Sequence, residues 1–137
     1  MELFRIETKK SPLEVVESFK SKVSNFDFIV RDVFDIKKEI SSCGVKVEDG
    51  FEYYSILICN PPKAYSTISK SPIRGALVFP PKQIVVYKNK TGLTEISYMK
   101  IDSNSIKEML PEDSQFQENL SKTGDKIIEL IKAVSID

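Results

Sequence analysis

The chain has 137 residues, which is enough for one domain with one hydrophobic core and too few for two ordinary domains. Its 41% hydrophobic and 29% charged residues exclude a disordered or collagen-like chain. Twenty basic and twenty acidic side chains cancel, which disfavours phosphate-driven nucleic-acid binding, and the absence of histidine excludes histidine-dependent catalytic triads and most zinc sites.

The first thirty-odd residues predict a strand, a helix and a second strand. A short strand spans Leu3 to Ile6, and Ser11 follows as the cap of a helix whose capping box is completed by Glu14. From Phe26 the pattern changes to period two, with Phe28 and Val30 on one face, which predicts a strand that is half buried against a helix and ends near Phe34.

A short helix follows, capped by Asp35 and ended by Gly44. Ile36, Ile40 and Cys43 recur at helical spacing within it. This pattern places Cys43 on the apolar face, so we expect that thiol to be buried and unreactive.

The run from Tyr53 to Cys59 is continuously apolar and predicts a central strand of the sheet, buried on both faces. Asn60 then occupies the capping position of a short helix that begins at Pro61. The brief apolar segment Ala76 to Phe79 is predicted as a further strand.

The C-terminal part predicts a hairpin followed by helices. Strands at 83–87 and 93–101 flank the turn Asn89-Lys90-Thr91-Gly92 and are expected to pair antiparallel. A short helix up to Leu110 precedes a long amphipathic one, which Gly124 is expected to break or bend. The apolar stripe of the long helix consists of Phe116, Leu120, Ile127, Leu130, Ile131 and Val134.

Together these elements predict a single α+β domain over 1–137, with a C-terminal helical extension at 103–134. We expect two layers, with helices packed against a mixed, mainly antiparallel sheet of about five or six strands. The N-terminus carries several charges and no stretch is apolar enough to cross a membrane, so we expect a cytoplasmic protein with no membrane partner.

Basic residues are concentrated in the middle of the chain. Residues 61 to 107 hold eight basic and two acidic groups, whereas residues 108 to 137 hold three basic and seven acidic groups. The middle segment is therefore interpreted as solvated lysines, as the partner of the acidic C-terminal helices, or as the basic side of an anion site.

One corner of the predicted fold is a candidate site for anion binding or thiol chemistry. Cys59 ends a strand beside the start of a helix, where free amides and the helix dipole favour a thiolate or an anion. Both a buried structural cysteine and a functional thiol or pocket wall fit this position. The candidate ligand-binding residues are Cys59, Asn60, Lys63, Tyr65, Arg74 and Lys82.

The same corner carries a family resemblance. The stretch from Tyr54 to Tyr65 contains Cys-Asn-Pro followed by Ala-Tyr, and the segments 75–80 and 84–87 follow it. Over residues 10 to 101 this pattern resembles the domain-of-unknown-function 302 family. The resemblance implies a small α+β domain, often a homodimer, with no established activity. Many members carry a cysteine where this chain has Pro81, so a two-cysteine redox or metal site is not expected.

Three functions compete at this point. The first is a dimeric domain that binds a small molecule or anion at the Cys-Asn-Pro-Pro junction, without cofactor or metal and without enzymatic activity. The second is a thiol-dependent enzyme or sulfur carrier that uses Cys59. The third is a homo-oligomeric interaction protein in which an edge strand or the 116–134 stripe pairs with its own copy.

Overall fold

The computed structural model describes residues 1–136, and the side chain of Pro81 lies outside that description. The strands are β1 (Glu2–Thr8), β2 (Ile29–Asp35), β3 (Tyr53–Cys59), β4 (Gln83–Lys88) and β5 (Thr94–Lys100). The α-helices are α1 (Pro12–Lys22), α2 (Ile36–Ser42), α3 (Pro61–Lys70), α4 (Gly75–Val78), α5 (Ser103–Met109) and α6 (Ser114–Ser135). Short 3₁₀ turns at Val23–Phe26, Pro72–Arg74 and Pro80–Lys82 connect them.

The five strands form one sheet in the order β1-β5-β4-β3-β2, and every neighbouring pair is antiparallel. The predicted α+β class is confirmed, although the sheet is antiparallel throughout instead of mixed. The hairpin prediction is also confirmed, because β4 and β5 pair antiparallel across a turn. In this turn the backbone carbonyl of Asn89 accepts a hydrogen bond from the backbone N–H of Gly92. Gly92 takes a positive φ of 84°, which glycine adopts at no steric cost.

The strand predicted at 76–79 is wrong. Gly75–Val78 is a single helical turn, in which the amide of Phe79 bonds the carbonyl of Gly75 at 3.3 Å. Prolines at 72 and 80 bracket this segment and remove amide donors that a sheet ladder would need. The apolar residues therefore mark a buried turn, with Val78 only 3% exposed.

The central strand of the sheet is β4, which corrects the prediction for 53–59. β3 lies one place from the edge, between β4 and the edge strand β2. Ser55, Ile56, Ile58 and Cys59 are buried, whereas the other three residues of β3 are only partly buried. An apolar run therefore indicated burial correctly but not the position of its strand in the sheet.

Helices α1 and α6 cover one face of the sheet and form the main core with it. The capping box of α1 is present, because Ser11 and Glu14 exchange side-chain and backbone hydrogen bonds. Helix α6 runs unbroken through Gly124, so the predicted break is absent. The apolar stripe of α6 is buried, from Ile127 to Val134 in this core and at Phe116 and Leu120 in a second cluster, which removes it as a surface for pairing with another copy.

Cys43 is exposed, which overturns the prediction of a buried thiol. It caps the C-terminus of α2, a helix of seven residues with no buried side chain. The helix contacts β2 and β3 at one edge of the sheet. A helix of two turns at the sheet edge buries little surface, so the helical spacing of its apolar residues did not indicate a buried face.

Candidate functional site

The corner between β3 and α3 is built as a capped helix start. β3 ends at Cys59, and the side-chain oxygen of Asn60 accepts the backbone N–H of Lys63 at 3.1 Å. Pro61 and Pro62 open the first turn of α3 with their fixed φ. The Cys59 side chain lies inside this junction, since the residue is only 6% exposed.

Lys82 is the unusual residue of the corner. It ends the 3₁₀ turn Pro80–Lys82 and is only 7% exposed. No hydrogen bond or ion pair within residues 1–136 involves its ammonium group, and the nitrogen is not fully enclosed, since the described residues contain no fully buried side-chain nitrogen that lacks a partner. Burial is the largest cause that lowers the pKa of the Lys82 amine, repulsion from Lys63 adds to it, and electrostatic interaction with the Cys59 thiol opposes it. A lysine buried to this extent without a carboxylate partner is uncommon, because taking the ammonium largely out of water costs free energy.

Lys63 supplies a second amine beside Lys82. Its ammonium donates to the Thr123 hydroxyl at 3.0 Å, and that hydroxyl donates to the backbone carbonyl of Asn119 at 3.0 Å. Lys63 is exposed as a whole residue, but partial desolvation of its amine is the main cause that lowers its pKa, followed by repulsion from Lys126 and Lys122 on α6. The surroundings of Lys63 are therefore short of negative charge.

A small cavity of about 20 Å³ lies between α3, α4 and α6. This is room for one water-sized group. The cavity walls, as far as the structure describes them, carry two amines and no carboxylate. They are formed by Lys63, Ala64, Thr67, Val78, Lys82, Phe116, Asn119, Leu120 and Thr123.

The six predicted site residues do not all meet in this cavity. Lys63 and Lys82 line it, and Cys59 lies near enough to Lys82 to affect its charge. Asn60 acts as the helix cap. Tyr65 is 73% exposed on the outer side of α3, away from the cavity walls.

Arg74 is held in an ion pair instead of facing the cavity. Its guanidinium donates two hydrogen bonds to the Asp113 carboxylate, at 2.7 and 2.8 Å, and a third to the carbonyl of Thr67 at 3.2 Å. It also lies 5.3 Å from the centre of the Phe116 ring. The Asp113 pair raises the pKa of Arg74 and lowers the pKa of Asp113. Arg74 therefore joins the segment after α3 to the start of α6.

Two polar contributors to the cavity come from α6 and were not predicted from the sequence. Thr123 holds Lys63, and Asn119 supports Thr123 one turn earlier. The signal was present, because Thr123 follows Leu120 by three positions and extends the buried stripe with a hydroxyl. The interpretation of α6 as an amphipathic helix counted only its apolar residues and therefore missed this hydroxyl.

A second cavity lies on the sheet face opposite α1 and α6. It measures about 340 Å³ and is mostly apolar, with Leu3, Val85 and Met99 among its walls. Leu3 and Met99 pair across β1 and β5 and are 65% and 50% exposed. Next to it, the buried Glu95 carboxylate accepts hydrogen bonds from Arg5, at 3.1 and 3.2 Å, and from the Tyr87 hydroxyl. Donors therefore surround Glu95, which lowers its pKa, with the Tyr87 bond as the largest cause.

The described residues hold no group of three or more His, Cys, Asp or Glu side chains placed to bind a metal ion. Within residues 1–136, none of the helices has both the length and the apolar character needed to cross a membrane.

Comparisons with known proteins agree with the fold. The family model of a domain of unknown function, DUF302, matches residues 4–134. No curated protein matches the sequence. One similar solved structure is an uncharacterized conserved protein DUF302 from Bacillus stearothermophilus. It has a TM-score of 0.71 and 18% sequence identity, with 98% of this chain and 96% of that chain covered. At this identity the likeness concerns the fold alone.

Proposed function

The chain belongs to the family of the domain of unknown function DUF302, and we propose that it binds a small anion in the cavity between α3 and α6. The observation that carries this proposal is Lys82, a residue that is only 7% exposed and whose ammonium makes no hydrogen bond or ion pair within residues 1–136. A bound anion would supply the missing countercharge. Lys63, held by Thr123, would provide a second positive group on the same ligand.

The size of the cavity restricts the ligand. About 20 Å³ accepts one water-sized group, so the ligand presents a compact charged end such as a carboxylate. Apolar walls from Val78, Phe116 and Leu120 lower the local dielectric and strengthen the attraction to both amines. Cys59 and Asn60 act in this proposal by shaping the corner, and neither contacts the ligand directly.

Calorimetric titration with sodium formate at constant ionic strength tests the proposal. We expect one binding site, which Lys82→Met and Lys63→Met each weaken by about tenfold or more, because each removes a charge-assisted hydrogen bond. Lys70→Met, at the exposed end of the same helix, is the matched control and is expected to bind as the wild type does. Absence of binding, or equal binding by the Lys82 variant, would overturn the proposal.

Self-association is the second candidate, and the uncovered sheet face favours it. Leu3 and Met99 flank the 340 Å³ cavity there and expose a contiguous apolar surface. A second copy related by a twofold axis would cover this face by sheet-on-sheet packing. Native mass spectrometry at micromolar concentration is expected to give a dimer for the wild type and a monomer for Met99→Asp. A monomeric wild type would remove this candidate.

The thiol-dependent alternative has weaker support. Cys59 is 6% exposed, so a substrate would need the corner to open before it reached the sulfur. The rate of alkylation decides it: this alternative requires Cys59 to react faster than the exposed Cys43.

A further inference from the structure

We propose that Lys82 is a carbonyl-binding nucleophile, which holds a small aldehyde or α-oxo acid as a reversible Schiff base in the cavity between α3 and α6. The inference rests on the anion site proposed above and names the class of ligand for it. Its carboxylate would lie against Lys63 and its carbonyl carbon against the Lys82 amine.

The first argument is the state of the Lys82 amine. An amine forms a Schiff base only when it is neutral, and burial without a countercharge favours the neutral form. Lys82 is 7% exposed, and its amine makes no hydrogen bond or ion pair with the described residues. Lys100 is as buried, but its amine lies 2.5 Å from the Asp125 carboxylate, which supplies the partner that Lys82 lacks.

The second argument is the neighbouring cation. Lys63 lies close enough to Lys82 to lower the pKa of its amine further, which is a known way to activate a lysine nucleophile. The ammonium of Lys63 is fixed by the Thr123 hydroxyl at 3.0 Å, so its position is set before a ligand arrives. A ligand with a carboxylate next to its carbonyl would contact both lysines at once.

The third argument is the enclosure. Apolar side chains at Ala64, Val78 and Leu120 line the cavity beside Lys82 and reduce, without abolishing, the contact of its nitrogen with water. Because the cavity of about 20 Å³ has room for one water-sized group, only the carbonyl end of the ligand would enter it beside Lys82, which restricts the class to its smallest members, such as glyoxylate.

The chemistry balances without an oxidant or a metal. The neutral Lys82 nitrogen forms a bond to the carbonyl carbon, and a proton passes from nitrogen to oxygen to give a carbinolamine. Loss of that oxygen as water breaks the C–O bond and leaves a C=N bond. Addition of water reverses both steps and releases the ligand.

Reductive trapping tests the inference. The protein is incubated with glyoxylate and cyanoborohydride, which converts the imine to a stable carboxymethyl amine, and the modified lysines are located by peptide mass spectrometry. We expect modification of Lys82 on the order of tenfold faster than that of the exposed Lys70 and Lys107. Equal modification of all three lysines would overturn the inference.

Three variants separate the roles. Lys63→Met is expected to slow trapping by glyoxylate more than trapping by acetaldehyde, which has no carboxylate and responds only to the weaker activation of the Lys82 amine; equal slowing with both, or no slowing with either, would overturn the role of Lys63 in holding the carboxylate. Lys82→Met, checked for folding by circular dichroism, should lose the fast modification. Lys82→Arg keeps a positive charge and has no amine that deprotonates, so it is expected to bind formate and yet form no imine.

The two proposals fail in different ways. If the wild type binds formate but Lys82 is not trapped, the Schiff base is wrong and the anion site stands. If formate does not bind at all, the anion site itself is wrong.

Discussion

Two buried lysines flank α6, and their surroundings differ. Lys100 on β5 is 8% exposed, and its ammonium lies 2.5 Å from Asp125 and 3.7 Å from Glu2. Lys82 is 7% exposed beside the cavity that the first turns of the same helix line, and no carboxylate within residues 1–136 pairs with it. Burial of a lysine therefore does not by itself indicate a binding site. The absence of a paired carboxylate is the indication, because a folded chain ordinarily supplies one to a buried lysine.

The Lys100 region also shows how closely a structural lysine is packed. A Cβ added at Gly124 of α6 would lie 2.7 Å from the Cγ of Lys100. The absence of a side chain at Gly124 therefore lets the lysine stem cross the helix and reach Asp125. At Lys82, by contrast, a cavity remains open beside the amine.

The largest predicted effect concerns a third buried cation, Arg74, which is paired as Lys100 is. Arg74→Met leaves the Asp113 carboxylate without its partner at the start of α6. We expect the free energy of unfolding to fall by about 2–3 kcal/mol, measured by urea denaturation. Arg31→Met, at an exposed position, is the control and should change it by less than about 0.5 kcal/mol. An unchanged free energy of unfolding in Arg74→Met would show that paired and unpaired buried cations do not differ in this fold.

The next effect has the opposite sign. Lys82→Met removes an uncompensated buried charge and keeps most of the side-chain volume, so we expect it to stabilise the protein by about 1 kcal/mol. Lys100→Met should shift stability by less than about 0.5 kcal/mol, because both of its partners are largely exposed and become solvated. Urea denaturation in a buffer without small anions measures both. Destabilisation by Lys82→Met would mean that its ammonium has a partner after all.

A smaller effect tests the packing of Lys100. Gly124→Ala gains helix propensity but pushes its methyl group into the Lys100 stem, and we expect a net loss of roughly 0.5–1 kcal/mol. In a Lys100→Ala background the collision is absent, so the same substitution should become stabilising. Thermal unfolding of the four proteins in this cycle gives the coupling, and an unchanged sign would contradict the close approach.

The smallest effect is a pH dependence. The lowered pKa of Lys82 means that the unfolded chain holds a proton there after the folded protein has lost it. Wild-type stability relative to Lys82→Met should therefore rise as the pH increases from Lys82's lowered pKa towards the ordinary lysine value. Below that window the full advantage of the variant remains. Urea denaturation of both proteins at several pH values measures this difference, and a constant difference would contradict the lowered pKa.

The sequence predicted those parts of the fold that depend on local chemistry. The capping box at Ser11, the cap at Asn60 and the hairpin after Lys88 each follow from short patterns. The position of β3 beside the edge and the exposure of Cys43 depend on which elements meet in space, and hydropathy does not report that.

The candidate site was predictable in part. Lys63 and Lys82 were selected from their nearness to the strand end, and both line the cavity. The missing countercharge of Lys82 and the contribution of Thr123 depend on how α6 packs against α3, sixty residues away along the chain. Tyr65 lies on the outer side of α3, which spacing along a ten-residue helix did not distinguish from the inner side.

The most direct measurement is the titration of Lys82 itself, followed by NMR of its side-chain ammonium or adjacent methylene group, with and without sodium formate. We predict a pKa below that of the exposed lysines in the free protein, and an increase when formate is added, because an anion that binds the charged amine must raise its pKa by linkage. A Lys82 signal that titrates together with the exposed lysines and does not respond to formate would contradict the account.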